Sequence, residues 1–187
     1  MIDGSQNRDS IHALARACIE RAIGAGVTLA CVESCTGGLI GAALTHVPGS
    51  SAAFVGGMLT YSNDAKQGLA GVDAALIETH GAVSAEVSGA MARGGLGTLG
   101  VDRCVAVSGV AGPGGGSDDK PVGTVWIALA TRVTPDAQCV RLLIDDPRSR
   151  ERVRARSVLA ALAILDPEYD ESALPHEQER RRIGTTP

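Results

Sequence analysis

The sequence predicts an α/β fold: a single three-layer domain with a mixed, mostly parallel sheet flanked by helices. Helix-like and strand-like segments alternate through the first half of the chain, which is typical of parallel strands joined by helices. Two strand-like segments then follow each other directly within residues 121–144, which predicts antiparallel pairing there. The chain has 187 residues, 44% hydrophobic and 20% charged, as expected of one globular domain.

The first half of the chain predicts helices separated by strands. Apolar residues recur at helical spacing over 10–25, and Gly24 and Gly26 end this helix. "VTLACVE" predicts a strand, and "SCTGGLIGAALTHV" predicts a turn that enters a helix and stops before Pro48. "SAAFVGGMLTYS" predicts the next strand, and two short helices follow over 63–71 and 73–79.

The second half begins with a helix of small residues over 84–99, which permits close packing in the core or at a subunit interface. "RCVAVSGVAG" predicts a buried strand that enters a glycine-rich loop. "PVGTVWIALAT" and "AQCVRLLI" predict two adjacent strands joined by a Pro-Asp turn, and a last amphipathic helix spans 150–165. We therefore expect a flexible N-terminus over 1–9, the domain over 10–166, and a polar, disordered tail over 167–187.

Composition and charge argue against several classes of function. The net charge is −4, and the chain has only four aromatic residues for base stacking, so we expect no nucleic-acid partner. A polar N-terminus and the lack of a long apolar segment predict a cytoplasmic protein without membrane contact. The number of cysteines is odd, and the spacing of Cys31 and Cys35 does not suit zinc, so we expect no metal and no cofactor.

Functional loops of such sheets lie where strands run into helices, which singles out residues 33–38, 60–66 and 108–117. The first of these lies within "CVESCTGGLIGA", where Ser34 and Thr36 precede a predicted helix. Free N–H groups at a helix start can bind a phosphate or stabilise an oxyanion beside a nucleophilic Ser34. Alternatively, Ser34 or Thr36 simply caps the helix.

The second and third segments also leave alternatives open. In "TYSNDAK", Ser62 and Lys66 are four residues apart and share a helix face, so either Ser62 or Ser34 could use Lys66 as a base. Burial would lower the pKa of such a lysine and suit it to this role. The loop "SGVAGPGGGSDDKPVGT" has no GK[ST] after its glycines and is not a P-loop. It is either an anion-binding nest or a flexible hairpin.

Several ungapped motifs together resemble one family. "ESCTGG", "TYSNDAK", "HGAVS", "SGVAGPGGGSDDKPVGTVW" and a final Arg-rich helix are similar, in order and spacing, to the CinA carboxy-terminal domain family. The resemblance covers residues 11–165, and the stand-alone members of the family are PncC-type nicotinamide-nucleotide amidohydrolases. It implies a cytoplasmic enzyme that hydrolyses the carboxamide of nicotinamide mononucleotide to nicotinate mononucleotide and ammonia, in pyridine-nucleotide recycling. It also implies a homo-oligomer, with a dimer favoured.

The resemblance to Ser/Lys amidohydrolases also implies roles for individual residues. Ser34 would be the nucleophile and Lys66 the general base, while Tyr61 would relay protons or position Lys66. The N–H groups of 35–38 would stabilise the oxyanion, and the loop over 108–117, with Thr45 or an arginine, would hold the phosphate. Glu33 would either orient Lys66 or merely end its strand. The predicted substrate-binding residues are Glu33, Thr36, Gly37, Gly38, Ser62, Asn63, Ser108, Gly109, Gly112, Pro113 and Gly114.

The chain departs from the family pattern at one point. Members usually have Gly-Asp-Arg before the last helix, whereas this chain reads "DDPRSRERVR", so Ser149 stands at the position of the aspartate and Arg150 at that of the arginine. The larger amino-terminal domain of full-length CinA is absent, so we expect no nucleotide pyrophosphatase activity. The alternative function is a non-catalytic nucleotide- or partner-binding protein associated with competence or recombination. A third is hydrolysis of another amide on a phosphorylated scaffold.

Overall fold

The fold was analysed in a computed structural model, which describes residues 4–134, 136–144, 149–169 and 179–183. Six α-helices, a 3-10 helix over Ser50–Ala52 and six strands lie within these residues. The helices are α1 (Gly4–Ala25), α2 (Leu39–Thr45), α3 (Asn63–Ala70), α4 (Ala74–His80), α5 (Ala85–Leu99) and α6 (Arg150–Leu165). The strands are β1 (Leu29–Glu33), β2 (Phe54–Leu59), β3 (Arg103–Gly109), β4 (Thr124–Thr131), β5 (Ala137–Leu143) and β6 (Glu179–Ile183).

All six strands form one mixed sheet in the order β2-β1-β3-β4-β5-β6. The first three run parallel, because helical crossovers connect them, whereas β4, β5 and β6 are each antiparallel to the strand before them in the sheet. The predicted α/β class with a mixed sheet is thus confirmed, with the parallel strands at the centre and one edge.

The core has two parts, one on each face of the sheet. Alternate residues of β1 and β3 face opposite sides, so Cys31 and Val105 pack in one cluster and Val32 and Cys104 in the other. Helices α1, α2 and α6 cover the first face, and α3, α4 and α5 contribute to the second. This arrangement gives the three predicted layers, and it needs helices on both sides because β1 and all but the two end residues of β3 are buried.

The small residues of α5 serve the core. Gly95 faces Val32 and Cys104, and a Cβ atom on Gly94 would overlap the backbone carbonyl group of Ala70 at the end of α3. Glycine therefore allows α5 to approach both the sheet and α3 more closely than any other residue would.

We expect Gly94→Ala to lower the free energy of unfolding by about 1–3 kcal/mol, because the added methyl group meets backbone that cannot rotate away. Gly97→Ala is the matched control, since Gly97 lies in the same helix with open space around it. This control should be neutral or should stabilise the protein by up to about 1 kcal/mol, because alanine is the better helix former. Urea denaturation of both variants measures the difference. Equal stabilities would contradict the close α3–α5 approach.

Both chain ends differ from expectation. The helix predicted from Ser10 begins at Gly4, because each further residue can add a backbone hydrogen bond to a helix that is already formed. In the predicted disordered tail, Tyr169 packs against the core and the backbone of 179–183 pairs with β5. An edge strand can accept a polar partner because the ladder uses backbone groups only. Residues 170–178 and 184–187 of this tail, and Pro135 of the predicted turn, lie outside the described residues.

None of the helices within the described ranges is both long and apolar enough to span a bilayer.

The predicted helix over 150–165 matches α6.

Candidate active site

The site lies at the edge of the sheet where the three parallel strands end. Ser34 directly follows β1, and its N–H donates to the carbonyl of Val107 at 3.0 Å. The N–H of Thr60, which follows β2, donates to the carbonyl of Glu33 at 2.7 Å. Continued pairing beyond the strand ends therefore fixes the backbone at Ser34 and brings the segment after β2 beside it.

Lys66 reaches Ser34 from α3. Its Nζ lies 3.2 Å from Ser34 Oγ and donates a second hydrogen bond to the carbonyl of Thr60 at 2.9 Å. Lys66 is 2% exposed and Ser34 is 8% exposed. Among the residues that the structure describes, no carboxylate forms an ion pair with Lys66. The sequence left open whether Lys66 contacts Ser34 or Ser62. In the structure Lys66 contacts Ser34.

Burial lowers the pKa of the Lys66 ammonium, and the nearby Cys35 only opposes this effect. The cause is desolvation, which disfavours the charged form of a group removed from water. A larger fraction of neutral amine is then present at a given pH than for an exposed lysine. Neutral Nζ carries a lone pair and can accept the proton of Ser34 at the distance seen here.

Glu33 caps α2. Its Oε2 accepts from the N–H groups of Gly38 at 3.0 Å and Ile40 at 3.1 Å, and its Oε1 accepts from Gly41 at 2.8 Å. These are the free amides at the helix start, which favour a negative charge. The hypothesis that Ser34 or Thr36 caps this helix is therefore wrong. The carboxylate does not contact Lys66, and the substrate phosphate would have to displace it to bind here.

The turn between Ser34 and α2 depends on two glycines. Gly37 has φ 63° and Gly38 has φ 91°, a region that favours glycine. The N–H of Gly37 donates to the carbonyl of Ser34 at 3.1 Å, which closes the turn. This conformation leaves the amides of Cys35 and Thr36 without an acceptor among the described residues.

Arg154, on α6, holds the opposite side of this turn. Its Nε donates to the carbonyl of Cys35 at 3.1 Å and its Nη2 to the carbonyl of Thr36 at 2.8 Å. The Thr36 hydroxyl is buried and has no hydrogen-bond partner in the described part of the chain. Glu33 thus holds the amide of Gly38 at the end of this turn, and Arg154 holds the carbonyls of Cys35 and Thr36 within it.

Arg150, one helical turn before Arg154, connects two further segments. It donates to the carbonyl of Gly112 at 2.9 Å and to the hydroxyl of Tyr61 at 3.1 Å. Tyr61 is 63% exposed, and its hydroxyl bonds to Arg150 rather than to Ser34 or Lys66. Its predicted function as a proton relay therefore stays a prediction, and in this arrangement Tyr61 contacts the site through Arg150.

Comparison with known proteins identifies the family. Residues 11–168 match the family model described as the CinA C-terminal domain. This chain belongs to that family. The predicted recognition from five motifs is thus confirmed over most of the chain.

Relatives of this CinA domain include a CinA-like protein of Parasynechococcus marenigrum strain WH8102. It is 49% identical over 154 residues, which make up 82% of this chain and 36% of the relative. A CinA-like protein of Mycobacterium marinum is 46% identical over 163 residues, 87% of this chain and 36% of the relative. This chain therefore spans about a third of the length of the curated relatives it matches.

Solved structures share the fold. The competence/damage inducible protein CihA from Agrobacterium tumefaciens has a TM-score of 0.80 and 40% identity, and covers 83% of this chain and 93% of its own. A CinA superfamily protein from Escherichia coli has a TM-score of 0.79 and 30% identity, and covers 88% of this chain and 92% of its own. Both alignments extend over nearly the whole of the solved chain, so the CinA domain is the shared unit.

The other predicted site residues of this CinA domain have various surroundings. Ser62 caps α3 by accepting from Ala65 N–H at 3.0 Å, and Asn63 is exposed at the start of that helix. Ser108 is buried and donates to the carbonyl of Ala82 at 2.7 Å. Gly109 packs against β4, while Pro113 and Gly114 are exposed in the loop. Of this group, Gly112 connects to the site through Arg150.

A pocket of about 190 Å³ adjoins the turn. It shares Glu33 and Gly38 with the turn but does not contain Ser34 or Lys66. Its remaining lining is largely apolar and comes from β1, α2 and β2: Cys31, Gly41, Ala42, Thr45, Phe54, Gly57, Met58 and Leu59. Thr45, considered as a phosphate ligand, lies here and donates its hydroxyl to the carbonyl of Gly41 at 2.8 Å.

Sequence reasoning missed the contribution of α6. The sequence placed Arg150 at the position of a family arginine and gave Arg154 no role, yet both reach the site. The signal that could have identified them is their spacing of four residues, which puts both on one helix face. Ser149, at the position of the family aspartate, accepts from the N–H of Arg152 at 3.2 Å and so provides an N-cap. Within the described ranges, no three His, Cys, Asp or Glu side chains are grouped to hold a metal ion.

Proposed function

We propose that this CinA domain hydrolyses the carboxamide of nicotinamide mononucleotide to nicotinate mononucleotide and ammonia through an acyl-enzyme on Ser34. The observation that carries the proposal is the buried contact of 3.2 Å between Lys66 Nζ and Ser34 Oγ, made without a carboxylate partner for the lysine among the described residues. A lysine buried only for stability would usually be paired. The motif resemblance to Ser/Lys amidohydrolases supports the choice of an amide substrate.

In the acylation step, neutral Lys66 takes the proton of Ser34 while Ser34 Oγ attacks the carboxamide carbon. The carbonyl oxygen becomes an oxyanion, for which the amides of Cys35 and Thr36 are the candidate donors. The Lys66 ammonium then returns the proton to the amide nitrogen, the C–N bond breaks, and ammonia leaves.

Deacylation repeats the same chemistry with water. Lys66, neutral again, takes a proton from a water molecule that attacks the ester carbon. The bond between Ser34 Oγ and the acyl carbon breaks, and Lys66 returns the proton to Ser34. The products are a carboxylic acid, which ionises to nicotinate, and free Ser34. One base thus serves both half-reactions.

The substrate phosphate needs a cationic partner, and Arg150 is our candidate. Arg150 is exposed, and among the described residues its guanidinium donates to Gly112 and Tyr61. An arginine has five donors, so others remain available for phosphate oxygens. Its bond to Gly112 ties it to the glycine-rich loop that the sequence offered as an anion nest.

A substrate series tests this proposal by ammonia release from nicotinamide mononucleotide, nicotinamide riboside and nicotinamide. We expect kcat/KM to fall by about 10- to 100-fold when the phosphate is absent, the value of a hydrogen bond to a charged group. Arg150→Met should lower kcat/KM for the mononucleotide to a similar extent and leave that for the riboside nearly unchanged. No ammonia from any of the three compounds would refute the proposed reaction. An equal loss of kcat/KM in Arg150→Met for the mononucleotide and for the riboside would refute the role of Arg150.

A further inference from the structure

We infer that Arg154 is a positioning residue for the oxyanion site: it holds and polarises the peptide group between Cys35 and Thr36. The inference rests on the proposed function of Ser34 as a nucleophile. It concerns a side chain that lies on the far side of the turn and donates to backbone carbonyls rather than to a reacting atom.

Most backbone amides near Ser34 already have an acceptor and cannot donate to an oxyanion. The N–H of Gly38 is bound by Glu33, and that of Gly37 by the carbonyl of Ser34. The N–H of Ser34 itself is bound by Val107. In the described part of the chain, Cys35 and Thr36 therefore have the amides next to Ser34 that can still donate to an oxyanion.

Arg154 binds the peptide group whose N–H belongs to Thr36. The carbonyl of Cys35 and the N–H of Thr36 belong to the same planar amide, so they share its electrons. A cation bonded to the carbonyl oxygen withdraws charge from the nitrogen and makes its N–H a stronger donor. The bond of 3.1 Å from Arg154 Nε to Cys35 therefore strengthens the Thr36 donor.

Arg154 also fixes the orientation of the peptide groups next to Ser34. The carbonyl of Thr36 belongs to the amide whose N–H, on Gly37, closes the turn, and Arg154 Nη2 holds this carbonyl at 2.8 Å. The two bonds from one rigid guanidinium fix the planes of two consecutive peptides. Preorganised donors stabilise an oxyanion most because they need not reorient during the reaction.

The positive charge of Arg154 also acts on the turn next to Ser34. No Asp or Glu of the described residues forms an ion pair with Arg154. Burial raises the pKa of the Cys35 thiol to about 11, whereas the charges of Arg150 and Arg154 lower this pKa, each by more than the charge of Glu33 raises it. Their positive potential therefore reaches the residue beside Ser34, where negative charge would develop.

The test compares Arg154→Met and Arg154→Lys with Arg156→Met, which removes an exposed arginine of the same helix. Two acyl donors are used: nicotinamide mononucleotide, and p-nitrophenyl acetate, which transfers its acetyl group to Ser34 and releases p-nitrophenolate. We expect Arg154→Met to slow acylation of Ser34 by about 10²-fold with both, with little change in KM. Arg154→Lys, which keeps the charge, should recover part of the rate. Arg156→Met should match the wild type.

A third readout separates positioning from general structural damage. The aldehyde analogue of the substrate forms a hemiacetal oxyanion on Ser34, whereas nicotinate mononucleotide does not. In Arg154→Met, affinity for the aldehyde should fall by the same factor as kcat/KM, while affinity for nicotinate mononucleotide should stay unchanged.

The outcomes distinguish this inference from the proposed function. Acetylation of wild-type Ser34 without turnover of the mononucleotide would refute the proposed substrate, and the acetylation rates of the Arg154 variants would still decide the inference. Wild-type acylation rates in Arg154→Met, or equal losses for aldehyde and product affinity, would overturn the inference alone. Wild-type Ser34 that neither compound acylates would overturn both.

Discussion

Replacing Ser34 with alanine should lower ammonia release from nicotinamide mononucleotide by at least about 10⁴-fold, the order of loss expected when the nucleophile of a covalent mechanism is removed. The substrate should still bind, because the change removes one hydroxyl group from a turn whose backbone is fixed by Val107, Glu33 and Arg154. Steady-state ammonia release and calorimetric titration with the mononucleotide measure the two quantities separately.

Two other serines sharpen this experiment. Ser88→Ala is the control, since Ser88 is a buried serine of α5 whose hydroxyl has no partner in the described part of the chain. It should leave turnover unchanged. Ser62→Ala should cost about 1 kcal/mol of stability through the lost α3 cap, and should retain an acyl-enzyme on Ser34 detectable by mass spectrometry. Loss of that adduct in Ser62→Ala, together with normal turnover in Ser34→Ala, would reverse the assignment.

Lys66→Met should lower kcat by about 10²- to 10⁴-fold, the contribution of a positioned general base. Methionine fills a similar buried volume, so the change removes the amine with little effect on packing around α3. Lys120→Met is the matched control, because Lys120 donates to the carbonyl of His80 and does not contact Ser34. Initial rates of ammonia release compare them, and near-normal turnover in Lys66→Met would exclude a lysine base.

The pH dependence gives an independent measure of Lys66. Because burial lowers its pKa, kcat/KM should rise with pH through an ionisation below the usual 10.5 of lysine, and Lys66→Met should lose this ionisation. Between the pKa of the folded state and 10.5, the unfolded chain binds more protons, so stability rises with pH in this window. The unfolding free energy of the wild type relative to Lys66→Met should therefore increase toward alkaline pH. A flat difference would contradict the lowered pKa.

Local patterns in the sequence were sufficient for most elements of this domain. The last helix was predicted at the bounds it has, because apolar spacing is a local signal. The start of α1 was predicted too late, because its first turns carry no apolar pattern. The pairing of 179–183 with β5 was missed for a different reason, since a polar strand is chosen by the edge it meets.

The sequence singled out the segments that contain Ser34 and Lys66 but could not say which side chains meet. Ser62 and Lys66 share a helix and looked like a pair, yet Lys66 contacts Ser34, 32 residues away. Glu33 had two possible roles, and the course of the turn toward α2 selected the cap. The spacing of Arg150 and Arg154 puts both on one helix face, but it does not show that Arg154 contacts a turn 118 and 119 residues earlier.

The sequence by itself determined the α/β class, the strand and helix segments, the glycines that allow the turn after β1, and the family motifs. Only the tertiary structure decided that Lys66 is buried against Ser34, that Glu33 occupies the amides of α2, and that Arg154 holds the carbonyls beside Ser34. The physical reason is range. Backbone preference and apolar spacing act over a few residues, whereas these contacts exist only after parallel strands and the two helical layers bring distant segments to one edge of the sheet.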